Sequence, residues 1–116
     1  MSKLPIVIRK MGYSFKDIIT GKTIDYGGWG NGYVLLPPDH LYYNIDYDDI
    51  PVDVYGGLTF SNYVSESGFK HKIDEKYHNY WCIGFDTAHS GDNSFNWPKE
   101  RVLEETIKLK RQLEQL

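Results

Sequence analysis

Along most of this chain the apolar residues come in short bursts, and only near the end do they settle into a helical period. Residues 4–10 (LPIVIRK) predict a first strand, with Pro5 at its start, where a missing N–H is tolerated. Residues 13–20 (YSFKDIIT) suit a strand or a short helix that Gly21 ends. Gly32 to Leu36 predicts a second strand, stopped by Pro37-Pro38. Val52 to Phe60 (VDVYGGLTF) reads as a strand interrupted by Gly56-Gly57, a pair that marks a bulge or a close backbone approach. Tyr80 to Phe85 carries large apolar groups on both faces, as a central strand does. The closing element is a helix in which Asn96 can cap, Pro98 sits in the first turn and Glu100 follows. Its apolar stripe is Val102, Leu103, Ile107, Leu109, Leu113 and Leu116, and about two heptads are too few for a coiled coil, so it reads as a packing helix.

Between these elements, four glycines in the seven residues Tyr26 to Gly32 predict a loop with positive φ angles. Residues 39–50 form a tyrosine- and aspartate-rich connection, and residues 61–78 read as a polar, exposed loop. The expected fold is therefore α+β: a small antiparallel or mixed sheet of four to six strands, the strand at Trp81–Phe85 near its centre, with the C-terminal helix packed on it. A length of 116 residues leaves room for one core, so residues 1–116 are read as a single domain.

Composition narrows the function classes. With 41% hydrophobic and 25% charged residues the chain is globular rather than disordered. Its longest apolar runs, Ile6-Val7-Ile8 and Tyr33-Val34-Leu35-Leu36, are too short to span a bilayer, and the segment around Lys3 has no apolar core, so neither a membrane anchor nor a signal peptide is expected. A lone cysteine, Cys82, excludes an internal disulfide and fits a reducing cytoplasm. A net charge of −3, with acids gathered at Asp39, Asp46, Asp48, Asp49 and Asp53, argues against general nucleic-acid binding, which needs a basic face. Aromatic residues reach 16%, enough to furnish either a binding surface or the core of a small sheet.

The richest polar segment follows the apolar strand. Asp86, His89 and Asp92 place two carboxylates and an imidazole within seven residues, and Asp86 can orient the ring three residues on. The same residues also suit a purely structural turn. His40 together with Asp86, His89 and Asp92 would make a two-histidine, two-carboxylate set, but no compact ligand pair is present, so no metal and no cofactor is expected. Cys82 lies inside YWCIGF and reads as a buried, inert thiol, and Ser61 and Ser90 lack the nucleophile-elbow context. No phosphate-loop or dinucleotide fingerprint occurs, and no catalytic residue is assigned. The expected ligand site gathers His40, Gly56, Gly57, Thr59, Asp86, His89 and Asp92 on one concave surface, walled by Tyr55 and by Trp81 or Trp29.

Three segments, GYVLLPPDHLYY, DVYGGLTFS and YWCIGFDTAHSGD, in that order before a closing helix, resemble a family of small uncharacterised bacteriophage proteins. The family pattern joins a G-Y-V strand and an H-P-x-Y-like turn to G-G-L-T-[FY]-S and W-[WY]-x-G-F-D-[CT]-A-H-[AS]-G-D segments, and the likeness covers roughly residues 32–116. The turn here is Asp39-His40-Leu41-Tyr42, without the proline, and Tyr55 stands where many members place a histidine, which counts against a metal site. The resemblance implies an accessory protein acting against host defences in the cytoplasm of an infected bacterium. Its first implied use is to sequester a nucleotide-derived immune signal, with base-stacking faces among Tyr26, Trp29, Tyr33, Tyr42, Tyr43, Tyr55 and Trp81. A protein-binding inhibitor of a host defence effector, or a small metal-assisted hydrolase using Asp86, His89 and Asp92, are the alternatives. The aliphatic excess on the last helix predicts a homo-oligomer with the helix or a sheet edge in the interface.

Overall fold

The computed structural model describes residues 3–115. Among these residues the elements run β1 (Ile6–Lys10), β2 (Ser14–Lys16), β3 (Thr23–Asp25), β4 (Gly30–Leu36), β5 (Phe60–Tyr63), β6 (Trp81–Phe85) and α1 (Lys99–Glu114). An antiparallel four-stranded sheet has the order β1-β4-β6-β5, and β2 pairs only with β3 in a separate hairpin. The fold is α+β, with α1 packed on β1 and β4. As the sequence predicts, the strand holding Trp81–Phe85 is interior, because neither of its faces could be left in water.

Alternation along β4 and β6 builds two cores from one sheet. Val34, Leu36, Trp81, Ile83 and Phe85 face α1, where Val102, Leu109 and Leu113 meet them together with Ile50, Val54 and Trp97. Tyr33, Leu35 and Cys82 point the other way, against Val64 and Phe69. Each fully buried aliphatic side chain here contributes roughly 1.5–3 kcal/mol of transfer free energy. Gly32 lets the helix lie close, since a Cβ there would strike Thr106 and the Phe85 ring.

Several expectations are corrected. Residues 61–78 are not an exposed loop. They complete β5 and then wind through three 3₁₀ turns, Val64–Glu66, Lys70–Lys72 and Glu75–Tyr77, that cover the second face. Val64, Ser67 and Phe69 are buried there, a spacing with no strand or helix period to betray it. The segment from Val52 to Phe60 is not a strand either, for only Phe60 joins the sheet. Gly56 and Gly57 both hold positive φ, +70° and +77°, which turns the chain out of the extended state. Before that turn, the segment is tied along the helix instead. Asp53 N–H donates to Gln112 Oε1 at 2.7 Å, Gln112 Nε2 donates to the Asp53 carbonyl at 2.7 Å, and Tyr55 N–H donates to Glu105 Oε2 at 2.8 Å.

Of the four-glycine run, only Gly27 has a positive φ, and Gly30 and Gly32 lie within β4. Asn96 does not cap α1. Pro98 holds the cap position without a side-chain bond, while Asn96 closes a turn with Asn93, each side-chain oxygen accepting the other's backbone N–H at 2.9 Å. The buried stripe of α1 is Val102, Thr106, Leu109 and Leu113; Leu103 is exposed, and Leu116 lies outside the described residues.

The β2–β3 hairpin stands away from this body. Every residue of its two strands is exposed, and the molecule measures 52 Å along its long axis against 26 and 24 Å across.

Candidate functional site

The loop after β6 is anchored before any ligand is considered. Thr87 is fully buried; its hydroxyl donates to the Gly30 carbonyl at 2.8 Å and its carbonyl accepts the Gly28 N–H at 2.7 Å. Asp86 Oδ1 accepts the Ala88 N–H at 3.1 Å, closing a local turn of the kind aspartate favours. Trp97 accepts the Trp29 N–H at 2.8 Å and stacks obliquely on Tyr55, with ring centroids 4.3 Å apart.

Within that frame Asp86, His89 and Asp92 do converge, joined by Tyr55 and Gly56. Asp92 is buried, and its Oδ2 accepts the His89 N–H at 2.9 Å and His89 Nδ1–H at 3.1 Å, while Oδ1 accepts the Tyr55 hydroxyl. His89 Nε2 lies 3.5 Å from Asp86 Oδ1, an ion pair when the ring is protonated. The ring stands edge-on to Tyr55, centroids 5.0 Å apart, and fills the space where a Cβ on Gly56 would be. The glycine pair is therefore a close approach, not a strand bulge.

The electrostatics follow from those contacts. Burial pushes the Asp92 carboxyl up, but hydrogen bonds from Tyr55 and His89 and the nearby imidazole outweigh it and hold the group below its ordinary value. Tyr55 is pushed up in return, first by its bond to Asp92 and then by desolvation. Burial pushes the Cys82 thiol up, as an inert core cysteine requires. Both ring nitrogens of His89 face carboxylates of its own loop. Chemically this is a rivet that fastens residues 55–56 to 86–92, and it leaves neither nitrogen aimed at a ligand.

The remaining expected site residues fall elsewhere. Gly57 borders the cluster with open space beside it, and Thr59 donates its N–H to the Gly84 carbonyl at 2.9 Å near the same end of β6. His40 and Trp81 do not join them, because both belong to the opposite end of the sheet. His40 Nδ1 accepts the Tyr42 N–H, so Nε2–H donates to the Leu113 carbonyl at 2.9 Å and caps the end of α1. Trp81 is paired with Leu36 in register, and its indole N–H donates to the Ile45 carbonyl at 2.8 Å. Trp97, not Trp81 or Trp29, walls the cluster. Among the described residues no group of three His, Cys, Asp or Glu side chains is placed to hold a metal ion.

A cavity of about 290 Å³ opens on the other side of the same loop, between residues 11–13, residues 25–28 and Asn93-Ser94. Tyr13 and Tyr26 flank it with ring centroids 5.7 Å apart. The Tyr13 hydroxyl donates to Asn31, and burial, with the Asp86 charge second, pushes its pKa up to about 12. Of the aromatics expected to stack on a base, Tyr26 alone lines this cavity; Tyr33 is core. Sequence reasoning missed Tyr13, Asp25 and Asn93 here. Asp25 alone lies beside the glycine run in sequence; Tyr13 and Asn93 come from distant segments, and nothing along the chain says that they face it across space.

Comparison with protein-family models, with curated proteins and with solved structures finds no match to this chain. No helix among the described residues is long and apolar enough to cross a membrane.

Proposed function

We propose that this chain is a binding protein that docks the tip of its β2–β3 hairpin into an apolar cleft of a partner protein. In the setting implied by the bacteriophage resemblance, the partner is a host defence effector and the site of action is the bacterial cytoplasm. The observation that carries the reading is the exposure of Ile18 and Ile19, 97% and 94%, on a hydrogen-bonded turn. Asp17 builds that turn: its Oδ1 accepts the Ile19 N–H at 2.8 Å, its carbonyl accepts the Gly21 N–H at 2.8 Å, and its own N–H donates to the Lys22 carbonyl at 2.8 Å. Phe15 and Ile24 extend the apolar surface down the strands. A two-stranded hairpin gains little from folding in isolation, and large apolar side chains gathered on one mark a contact surface. Preorganisation lowers the ordering cost of docking.

Sequestration of a nucleotide-derived signal is the second reading: the Tyr13 and Tyr26 rings at the cavity offer faces on which a base could stack, although no Lys or Arg lines it to meet a phosphate. One assay separates the two: counter-defence activity in bacteria, scored for Ile18→Asp/Ile19→Asp and for Tyr26→Ala, with melting curves showing both variants folded. Docking predicts that the hairpin-tip variant loses activity at least tenfold. Full activity in that variant, with loss in Tyr26→Ala, refutes docking and selects sequestration.

A further inference from the structure

We propose that the cavity at the root of the hairpin is a site for a small organic cation, an amidinium, guanidinium or protonated amine on a flat or alkyl body. At about 290 Å³ it holds roughly one ring and its substituent, the small end of ligand sites.

Its lining selects charge by what it offers and by what it withholds. No Lys or Arg lines it, while Asp25, at the end of β3, is its one acidic lining residue. Tyr13 and Tyr26 pair at its wall with ring centroids 5.7 Å apart, and a cation seated beside them comes within the reach of about 6 Å over which an aromatic ring attracts it. The backbone donors of the glycine run, which would be the first choice to cradle a phosphate, are already committed, as are those of several neighbours. Met11 N–H goes to the Trp29 carbonyl, Tyr26 N–H to Tyr13, Gly27 N–H to Asp92 and Gly28 N–H to Thr87, at 2.7–3.2 Å. The Asn93 N–H is likewise taken, by Asn96 Oδ1 at 2.9 Å. Gly27 has φ +78° and packs against the Tyr13 ring where a Cβ would sit, and Gly28 packs likewise on Thr87 and Trp97. The glycine run thus serves close packing of the cavity floor rather than anion binding. Tyr13 remains a neutral phenol at physiological pH, so it adds a polarisable face without competing for the cation. Because residues 11–13 and 25–26 belong to the hairpin root and Asn93-Ser94 to the loop after β6, a seated cation bridges the hairpin to the body.

This inference does not depend on what the hairpin tip binds. The test titrates the full chain with benzamidine, benzamide and benzoate, which share a ring and differ in charge, and with AMP as a phosphate-bearing base. The amide resonances of Gly27, Gly28 and Asn93 are followed by NMR. Benzamidine is expected to shift all three and to bind at least tenfold tighter than benzamide. Asp25→Asn, an isosteric change at an exposed position, is expected to erase that tenfold preference, and higher salt to weaken it. Benzoate or AMP binding as tightly as benzamidine, an unchanged preference in Asp25→Asn, or no shift with any probe would each overturn the proposal.

Discussion

Two neighbouring glycines allow the fastening of His89 to be weighed against backbone strain alone. Gly56 and Gly57 share nearly the same conformation, φ +70° and +77°, so alanine at either meets the same left-handed cost of about 1–2 kcal/mol. Their surroundings differ completely. Nothing lies within 4 Å of a Cβ at Gly57, whereas one at Gly56 would overlap the His89 imidazole. Gly56→Ala must therefore also unseat the ring, losing its Nδ1 bond to Asp92 and its edge contact with Tyr55, each about 1 kcal/mol. The expected losses are about 1.5 kcal/mol for Gly57→Ala and about 3.5 kcal/mol for Gly56→Ala. At about 4 °C per kcal/mol for a domain of this size, the melting temperatures should fall by roughly 6 and 14 °C. Urea unfolding with unchanged slope would give the free energies directly. Equal losses in the two variants would refute the reasoning, because the ring would then not be seated on Gly56.

The same cluster should show in acid and in function. The folded-state pKa of Asp92 is depressed, so its stabilisation is complete above the ordinary aspartate value of about 4 and is lost as pH falls through the lower folded value. Asp92→Asn should thus cost about 1–2 kcal/mol at neutral pH, and its deficit relative to the parent should shrink below about pH 4 in pH-dependent melts; a deficit constant down to pH 2 contradicts the assignment. His89→Ala should lower stability by about 1–3 kcal/mol, and Asp86→Ala by less than about 1 kcal/mol, since its ion pair is one-third exposed and 3.5 Å long. Both should keep, once folded, the counter-defence activity proposed above. Loss of activity without a drop in melting temperature would return His89 to the role of a contact residue.

Much of this fold is local and therefore legible along the chain. Apolar groups on both faces of Tyr80–Phe85 could be satisfied only inside a sheet, and the helical period from Val102 to Leu113 demanded a sheet face to cover. Asp86, His89 and Asp92 sit within one turn, so their meeting needed no tertiary information. The rest was decided by contacts between distant segments. His40 carries the same imidazole as His89, but the end of α1 recruited it as a cap, some seventy residues along the chain. Residues 61–78 look like a polar loop because the few apolar side chains covering the second face, Val64 and Phe69, have no regular spacing. Gly56-Gly57 announced a special backbone. Whether it would be a bulge in a strand or a turn pressed against a histidine depended on Glu105 and Gln112, which hold the preceding residues to the helix and out of the sheet. The exposure of Ile18 and Ile19 was the least legible of all. An Ile-Ile pair reads as core in any one-dimensional pattern, and only the pairing of β2 with β3, away from the main sheet, leaves it in water.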